Sequence, residues 1–194
     1  MIAQAQPRMT PQEYLTWEAE QLLKYGYIDG DVYAMTGGTI PHNDIALNIA
    51  AALKTHLRGK GCKVQMADAK LGVSECGPFH YPDVMVSCDR RDQAARQVIY
   101  HPCLIVEVLS PSTEGFDRGQ KFRHYRRIEA LREYVLVDAE RMGLEVYRLN
   151  ERGKWELTSY GGEPSAEVEF VSVGFRCSMS LVYENVALEG GGDF

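Results

Sequence analysis

The chain has 194 residues, of which 45% are hydrophobic and 25% are charged. This balance is typical of a single globular domain, and no apolar run reaches the roughly 20 residues of a membrane-spanning helix. The formal net charge of −6 weighs mildly against a protein dedicated to nucleic acid, because such proteins usually carry a basic balance. The start, "MIAQAQPRMT", has no basic segment followed by an apolar stretch, so we expect no secretory signal, no membrane association and a cytoplasmic location.

The cysteines are odd in number and widely spaced, and none forms a C-x-x-C pair. This pattern predicts reduced, buried thiols and no disulfide framework. A zinc site built from Cys76, His80, His101 and Cys103 would not match a known zinc spacing. The five positions are Cys62, Cys76, Cys88, Cys103 and Cys177.

The first half of the chain contains two helix patterns separated by a hairpin pattern. Thr10 followed by Pro11, with Glu13 three positions after Thr10, predicts a capped first helix. Asp29-Gly30 lies between short β-prone runs and predicts a two-residue hairpin turn. A second helix is expected over 42–58, where apolar residues recur every four positions to form one buried stripe. These stripe residues are Ile45, Ile49, Leu53 and Leu57.

The second half is richer in strand patterns. A third helix is predicted over 118–131, and Asn150 to Gly153 predict a hairpin turn between the last two strands. The order of elements favours an α/β (α+β) fold with a mixed sheet flanked by helices, in one domain over 10–187. We expect a flexible segment over 1–9 and a disordered tail over 188–194. The predicted strand regions are 62–73, 81–87, 103–110, 133–139, 144–150 and 154–160.

Two acidic residues interrupt apolar strands. Glu107 lies within "LIVEVL" and Asp83 within "YPDVMV". A buried carboxylate is costly unless it is protonated, paired or bound to a metal. If the two strands are neighbours, the carboxylates converge into a hard-oxygen site suited to Mg²⁺ or Mn²⁺. Lys121, on the following helix, is then the candidate to orient a water or stabilise developing negative charge.

Each of these residues also has a purely structural interpretation. Asp83 would cap a turn after Pro82, and Glu107 would pair with an arginine of the third helix. The basic segment "RGQKFRHYRRIEALR" is either a solvated helix face or a patch that meets phosphates. Taken together, two isolated acids and a basic helix favour a functional site.

These same segments resemble a known family. "YPDV", "LIVEVLSPSTEGFDRGQKFRHY" and "EYVLVDA" are similar to the Uma-two family of endonucleases, in the PD-(D/E)XK restriction endonuclease-like superfamily. The resemblance runs from about Thr10 to about Val186. A bare P-D pair carries little information, whereas E-V-L-S-P-S-T followed by D-R-x-x-K-x-x-x-Y is specific.

The resemblance implies a restriction endonuclease-like core and a Mg²⁺-dependent hydrolysis of DNA phosphodiester bonds by a metal-activated water. Asp83 and Glu107 would be the two acids of the motif and would bind the metal together with the backbone carbonyl of Val108. The simple motif places lysine two residues after Glu107, where this chain has Leu109. The resemblance therefore implies that Lys121, from the next helix, takes the role of that lysine, which its long stem permits.

Other positions are candidates for accessory roles, and each also has a structural interpretation: helix capping or a core hydrogen bond for His42, a helix start for Arg118 and packing for Tyr125. His42 matches a histidine at the start of the second helix in relatives, Arg118 is a candidate phosphate contact, and Tyr125 lies one helical turn beyond Lys121. Relatives usually carry glutamate where this chain has Gly26. The missing acid is expected to impair activity, unless Glu20 or Asp29 supplies the carboxylate instead.

Three functions remain open at this point. The first is a DNA endonuclease, which by analogy would act as a homodimer. The second is a catalytically degenerate nuclease-fold protein that binds nucleic acid or acts as an accessory factor. The third is a structural or interaction protein, because a fold does not establish a function.

Overall fold

The structure is a computed structural model that describes residues 8–35 and 37–188. Most of the predicted flexible segment (1–9) and disordered tail (188–194) lies outside these residues. Within the described chain, no helix combines the length and apolar character required to cross a membrane.

The described chain alternates short helices with thirteen strands. A π-helical turn over Asp117–Lys121 joins two short helices into one continuous helical segment. The helices are α1 (Pro11–Glu18), α2 (Ile40–His56), α3 (Glu114–Phe116), α4 (Phe122–Tyr125) and α5 (Met179–Val182). The strands are β1 (Tyr25–Ile28), β2 (Asp31–Ala34), β3 (Lys63–Met66), β4 (Lys70–Gly72), β5 (Phe79–His80), β6 (Val84–Ser87), β7 (Val98–Ile99), β8 (Leu104–Leu109), β9 (Glu133–Asp138), β10 (Leu144–Leu149), β11 (Trp155–Tyr160), β12 (Glu167–Phe170) and β13 (Phe175–Ser178).

The central sheet has six strands in the order β11-β10-β9-β8-β6-β3. β8 and β9 run parallel, whereas the other neighbours in this sheet are antiparallel. A second sheet has the order β2-β1-β5-β4-β7, and β12 pairs with β13. The predicted α/β (α+β) class, with mixed sheets flanked by helices, is confirmed.

Strand β8 is buried along its whole length because both of its faces are covered. Alternate residues point to opposite sides of a sheet, so the two faces of β8 enter different cores. Leu104, Val106 and Val108 pack in the cluster that contains the apolar stripe of α2. Ile105 and Leu109 pack in a second cluster with Tyr125 and Tyr134. Glu107 shares this second face, as the alternation predicts.

The predicted turns and caps of the first half are present. The Thr10 side chain accepts from the Glu13 backbone N–H, and the Glu13 carboxylate accepts from Thr10, which completes a capping box. Asp29 (φ 49°) and Gly30 (φ 99°) form the turn between β1 and β2, where both residues require positive φ. Helix α2 begins at Ile40, two residues earlier than predicted, because Thr39 caps it.

Three predicted elements differ in extent. The region 62–73 is divided into β3 and β4, which belong to different sheets. The strand predicted from 81 begins only at Val84, since Pro82 has no N–H to donate to a ladder. The third helix covers 114–125 instead of 118–131 and includes the π-helical turn.

The prediction of five reduced, buried cysteines is wrong. Cys62 and Cys88 form a disulfide with a Cα–Cα distance of 4.0 Å, and Cys76 is exposed. The pairing of β3 with β6 explains the disulfide, because Lys63 lies opposite Ser87 and the next residues outward therefore face each other. Spacing along the chain could not indicate this contact, which joins positions 26 residues apart.

Candidate active site

The two acids singled out in the sequence meet where β6 and β8 lie side by side. The strands are antiparallel neighbours with Val84 opposite Val106. Asp83 immediately precedes β6, and its Oδ2 accepts a hydrogen bond from the backbone N–H of Val108 at 2.7 Å. The Asp83 carboxylate therefore lies beside the residue that follows Glu107 on the neighbouring strand, as the sequence predicts for adjacent strands.

Lys121 enters the same site from the π-helical turn. Its Nζ lies 2.9 Å from Oε2 of Glu107 and 2.8 Å from Oδ1 of Asp117, and all three side chains are buried. π-helical turns insert an extra residue into a helix and are frequent at functional sites. Lys121 is thus shared between two carboxylates that reach it from different elements.

Two tyrosines hold these groups from the core side. The hydroxyl of Tyr125 donates to Oε1 of Glu107 at 2.7 Å, and the hydroxyl of Tyr134 donates to the backbone carbonyl of Asp117 at 3.0 Å. Both rings are fully buried and pack edge to face, with centroids 5.3 Å apart. The Glu107 carboxylate therefore has a partner on each oxygen.

His42 reaches the site from the first turn of α2. Its Nε2 lies 3.4 Å from Oδ2 of Asp83. The loop before α2 is close to the ring, since a Cβ at Gly38 would lie only 2.8 Å from Nδ1 of His42. Glycine at position 38 is therefore required for this approach of the loop to the histidine.

The electrostatics of the site reflect burial and crowding of carboxylates. Burial, together with the charges of Asp117 and Asp83, raises the pKa of Glu107 to about 8, although Lys121 opposes this change. Burial disfavours the charged form of Lys121, but Glu107 and Asp117 outweigh it and raise its pKa. Burial likewise opposes protonation of His42, yet its contact with Asp83 raises its pKa.

The site lies at the base of a cleft of about 910 Å³. His42, Asp83, Glu107, Val108 and Lys121 all line it, and so does Asp117. The segment Ser110–Thr113 forms part of the wall. Three apolar side chains also line the cleft although they are largely exposed to solvent: Leu22, Leu23 and Ile40.

The sequence comparison decides the family. Residues 11–180 match the family model described as "Uma2: Putative restriction endonuclease". The chain belongs to the Uma2 family. This match covers most of the domain, from the first helix to the last, and confirms the resemblance drawn from the sequence motifs.

Uma2 relatives and one solved structure are similar to this chain. The uncharacterized protein slr1290 of Synechocystis is 38% identical over 181 residues, which cover 93% of this chain and 94% of the relative. A second uncharacterized Synechocystis protein, sll1609, is 33% identical and is covered over 97% of its length. A crystal structure from Anabaena variabilis, described as a putative nuclease belonging to DUF820, superposes with a TM-score of 0.73 at 17% identity, covering 90% of this chain and 97% of that one. Its likeness confirms the predicted restriction endonuclease-like fold.

Several predicted accessory residues of this Uma2 chain lie outside the main cleft. In the part of the chain that the structure describes, Arg118 does not line the cleft. Its Nε donates to Glu114 at 2.6 Å, and its Nη1 pairs with Glu145. Arg118 lines a separate pocket of about 230 Å³. Gly26 lies in β1 and, with Glu20 and Asp29, is likewise absent from the lining of the main cleft. Among the residues that the structure describes, Tyr125 does not line the cleft, and it contacts the site through its hydrogen bond to Glu107.

Asp117 is the site residue that the sequence interpretation missed. Its position is typical of a helix start, but its carboxylate contacts the ammonium of Lys121. A signal was present, because the two residues are four positions apart and therefore share one helix face.

The oxygen donors of the site fit a magnesium-type ion. Asp83, Glu107 and the backbone at Val108 offer oxygen donors in one cleft, and Mg²⁺ commonly needs only one or two carboxylates besides water and substrate oxygens. No group of three or more His, Cys, Asp or Glu side chains in the described part of the chain is arranged as a metal cage. Burial first, and then the neighbouring carboxylates, raise the pKa of Glu107, and a bound cation would favour its charged form.

Proposed function

We propose that the protein is a Mg²⁺- or Mn²⁺-dependent endonuclease that hydrolyses DNA phosphodiester bonds. Asp83, Glu107 and the Val108 carbonyl would hold the metal, and Lys121 would be the catalytic lysine. The family description and the nuclease description of the structural neighbour support nuclease chemistry in general. The metal, the DNA substrate and the residue roles are part of the proposal.

One observation carries this proposal. Asp83, Glu107 and Lys121 come from three different elements and converge in a single cleft that is open to a large ligand. Glu107 and Lys121 are buried and paired, but both line an open cleft together with the more exposed Asp83, whereas an ion pair that serves stability alone needs no opening. This placement favours a reactive site over a structural ion pair.

The groups of the chain have distinct proposed roles. A divalent ion bound at the two acids would polarise a phosphate oxygen and lower the pKa of a bound water. Lys121 places a fixed positive charge where negative charge develops on the phosphate. His42, which contacts Asp83, orients that carboxylate toward the cleft.

Exposed arginines that follow Lys121 in the chain would meet the DNA backbone. Arg123, Arg126 and Arg127 follow Lys121 in the chain and are exposed. They are therefore available to neutralise phosphates, whereas Arg118 is already held by two carboxylates. We also propose a homodimer, by analogy with nucleases that use two active sites to cut the two strands of a duplex.

Calorimetric titration with Mn²⁺, followed by incubation with supercoiled plasmid, tests this function. The wild type is expected to bind Mn²⁺ and nick the plasmid, while Asp83→Asn and Glu107→Gln lose both. Lys121→Met is expected to keep metal binding and to cleave at least a hundredfold more slowly, the loss typical of one electrostatic catalytic group.

Two results would contradict the endonuclease. Metal binding without cleavage of plasmid, linear or single-stranded DNA would favour the nucleic-acid-binding or accessory function. Wild-type protein that binds neither Mn²⁺ nor Mg²⁺ would leave Glu107 as a structural partner of Lys121.

A further inference from the structure

The ammonium of Lys121 has two carboxylate contacts of nearly equal length. Glu107 lies at 2.9 Å and Asp117 at 2.8 Å. Glu107 belongs to the proposed metal site, but Asp117 does not need to bind the metal to be useful. If a metal ion bound the Glu107 carboxylate, the Asp117 carboxylate would remain as a partner for the Lys121 ammonium.

Metal binding at Glu107 would change the partners of its carboxylate. Oε1 accepts from Tyr125, and Oε2 is the oxygen that Lys121 contacts. A divalent cation at this carboxylate therefore repels the ammonium and competes with it for Oε2. Leaving the ammonium buried without a carboxylate would be costly.

Asp117 is fixed in a position that meets this need. It is 2% exposed, and its backbone carbonyl accepts from Tyr134. In the described part of the chain, Lys121 is the one cationic side chain in contact with its carboxylate. The π-helical turn places both residues on the same side of the helical segment, so their contact does not depend on the neighbouring strand.

We propose that Asp117 is a positioning residue that retains the Lys121 ammonium when a divalent metal takes over Glu107. Lys121 shifts from two carboxylates to one, and Oε2 of Glu107 becomes free without expelling the ammonium from the site. The inference rests on the proposed function, because it concerns the same metal site. It assigns Asp117 an action on Lys121 and not on the metal.

A double-mutant cycle on metal affinity tests this action without relying on cleavage. Mn²⁺ binding is measured by calorimetry for the wild type, Asp117→Asn, Lys121→Met and the double variant. We expect Asp117→Asn to weaken Mn²⁺ binding roughly ten- to a hundredfold, as is typical for partners of metal ligands. In the Lys121→Met background, where no ammonium competes, the same substitution is expected to change the affinity less than about threefold.

The outcomes separate three explanations. An equal loss of affinity with and without Lys121 would overturn the inference, because Asp117 would then act on the metal by direct charge or ligation. Unchanged affinity in Asp117→Asn would overturn it as well. Wild-type protein that fails to bind Mn²⁺ would instead contradict the proposed function, and the inference with it.

Folding and cleavage provide two further readouts. Asp117→Ser serves as the second variant if Asp117→Asn lowers the folded fraction in a thermal melt. With saturating Mn²⁺, Asp117→Asn is expected to lower kcat with little change in KM, since Lys121 acts on the phosphate during reaction. A change confined to KM would argue against a role through Lys121.

Discussion

The hydroxyl of Tyr125 donates to Oε1 of Glu107 at 2.7 Å, from a helical segment that follows the strand bearing Glu107. This contact links the proposed metal ligand to the aromatic core beneath it. It also leaves Oε2 as the oxygen that faces Lys121. Tyr125 therefore fixes the orientation of the carboxylate that the function requires.

Tyr125→Phe removes this hydrogen bond while keeping the ring. We expect the free energy of unfolding to fall by about 1–2 kcal/mol, since a buried carboxylate loses one partner. Mn²⁺ affinity is expected to fall roughly ten- to a hundredfold because the carboxylate is less well oriented. Calorimetry and denaturant unfolding measure the two effects.

Tyr183→Phe is a matched control for this prediction. Its hydroxyl donates to the backbone carbonyl of Asp138 at 2.6 Å, and Tyr183 does not line the described cleft. The control should lose stability without losing Mn²⁺ affinity. Equal affinity for Mn²⁺ in wild type and Tyr125→Phe would contradict the orienting role.

The raised pKa of Glu107 predicts how stability depends on pH in metal-free protein. Burial and the neighbouring acids raise this pKa to about 8, whereas an unfolded glutamate titrates near 4.3. The folded state therefore binds the proton more tightly, and the contribution of Glu107 to stability is present below the unfolded pKa and lost as pH rises through about 8. Wild type should lose stability relative to Glu107→Gln across this interval.

Urea unfolding in EDTA at a series of pH values measures this difference. Comparing the two proteins at each pH cancels the contribution of titrating groups remote from position 107, and leaves those of Glu107 and of the neighbours whose pKa it raises, among them His42 and Lys121. A difference between wild type and Glu107→Gln that stays constant from about pH 5 to pH 9 would show that burial does not shift the titration of this carboxylate.

The disulfide predicts a stability effect separate from the site. Cys62 and Cys88 close a loop with a sequence separation of 26. Loop-closure entropy predicts that the double variant Cys62→Ser/Cys88→Ser is less stable by roughly 3 kcal/mol. Thermal unfolding of the oxidised protein checks this value. Cys76→Ser, which alters an exposed free thiol, should leave the melting temperature unchanged.

The exposed arginines that follow Lys121 in the chain predict a salt-dependent affinity for DNA. Replacing Arg123, Arg126 and Arg127 by Gln removes three positive charges that are free to meet phosphates. We expect weaker binding to a DNA duplex and a salt slope that is smaller by about one for each lost phosphate contact. Fluorescence anisotropy at several salt concentrations measures both quantities.

A matched control removes the same charge elsewhere. Arg58, Arg96 and Arg152 are exposed and lie in three separate turns. Their replacement by Gln should weaken DNA binding less and leave most of the slope intact. Equal losses in the two triple variants would indicate a diffuse effect of net charge and no defined DNA-binding surface.

Short sequence patterns predicted the helix cap and the hairpin turn, because these features depend on residues close together in the chain. Thr10 and Glu13 cap α1, and Asp29-Gly30 forms the hairpin turn, because both signals act within a few residues. Glu107 was identifiable because a lone acid in an apolar strand conflicts with its surroundings. The α/β class followed from the order of these elements.

The sequence did not predict which strands pair or in which register they pair. The pairing of β3 with β6 places Cys62 against Cys88, and no spacing rule indicates such a register. Leu22 and Leu23 lie beyond α1, which ends at Glu18, and both are exposed where they line the cleft.

The sequence by itself singled out the residues that we propose to carry the chemistry: two acids in apolar segments and a lysine shortly after. Only the tertiary structure decided that Glu107 of β8 shares the ammonium of Lys121 with Asp117. The π-helical turn brings Asp117 within 2.8 Å of Nζ, while the same pattern of residues also fitted an ordinary helix start. The reason is physical, since residue type fixes what a side chain can do, whereas strand register and helix geometry fix which side chains meet.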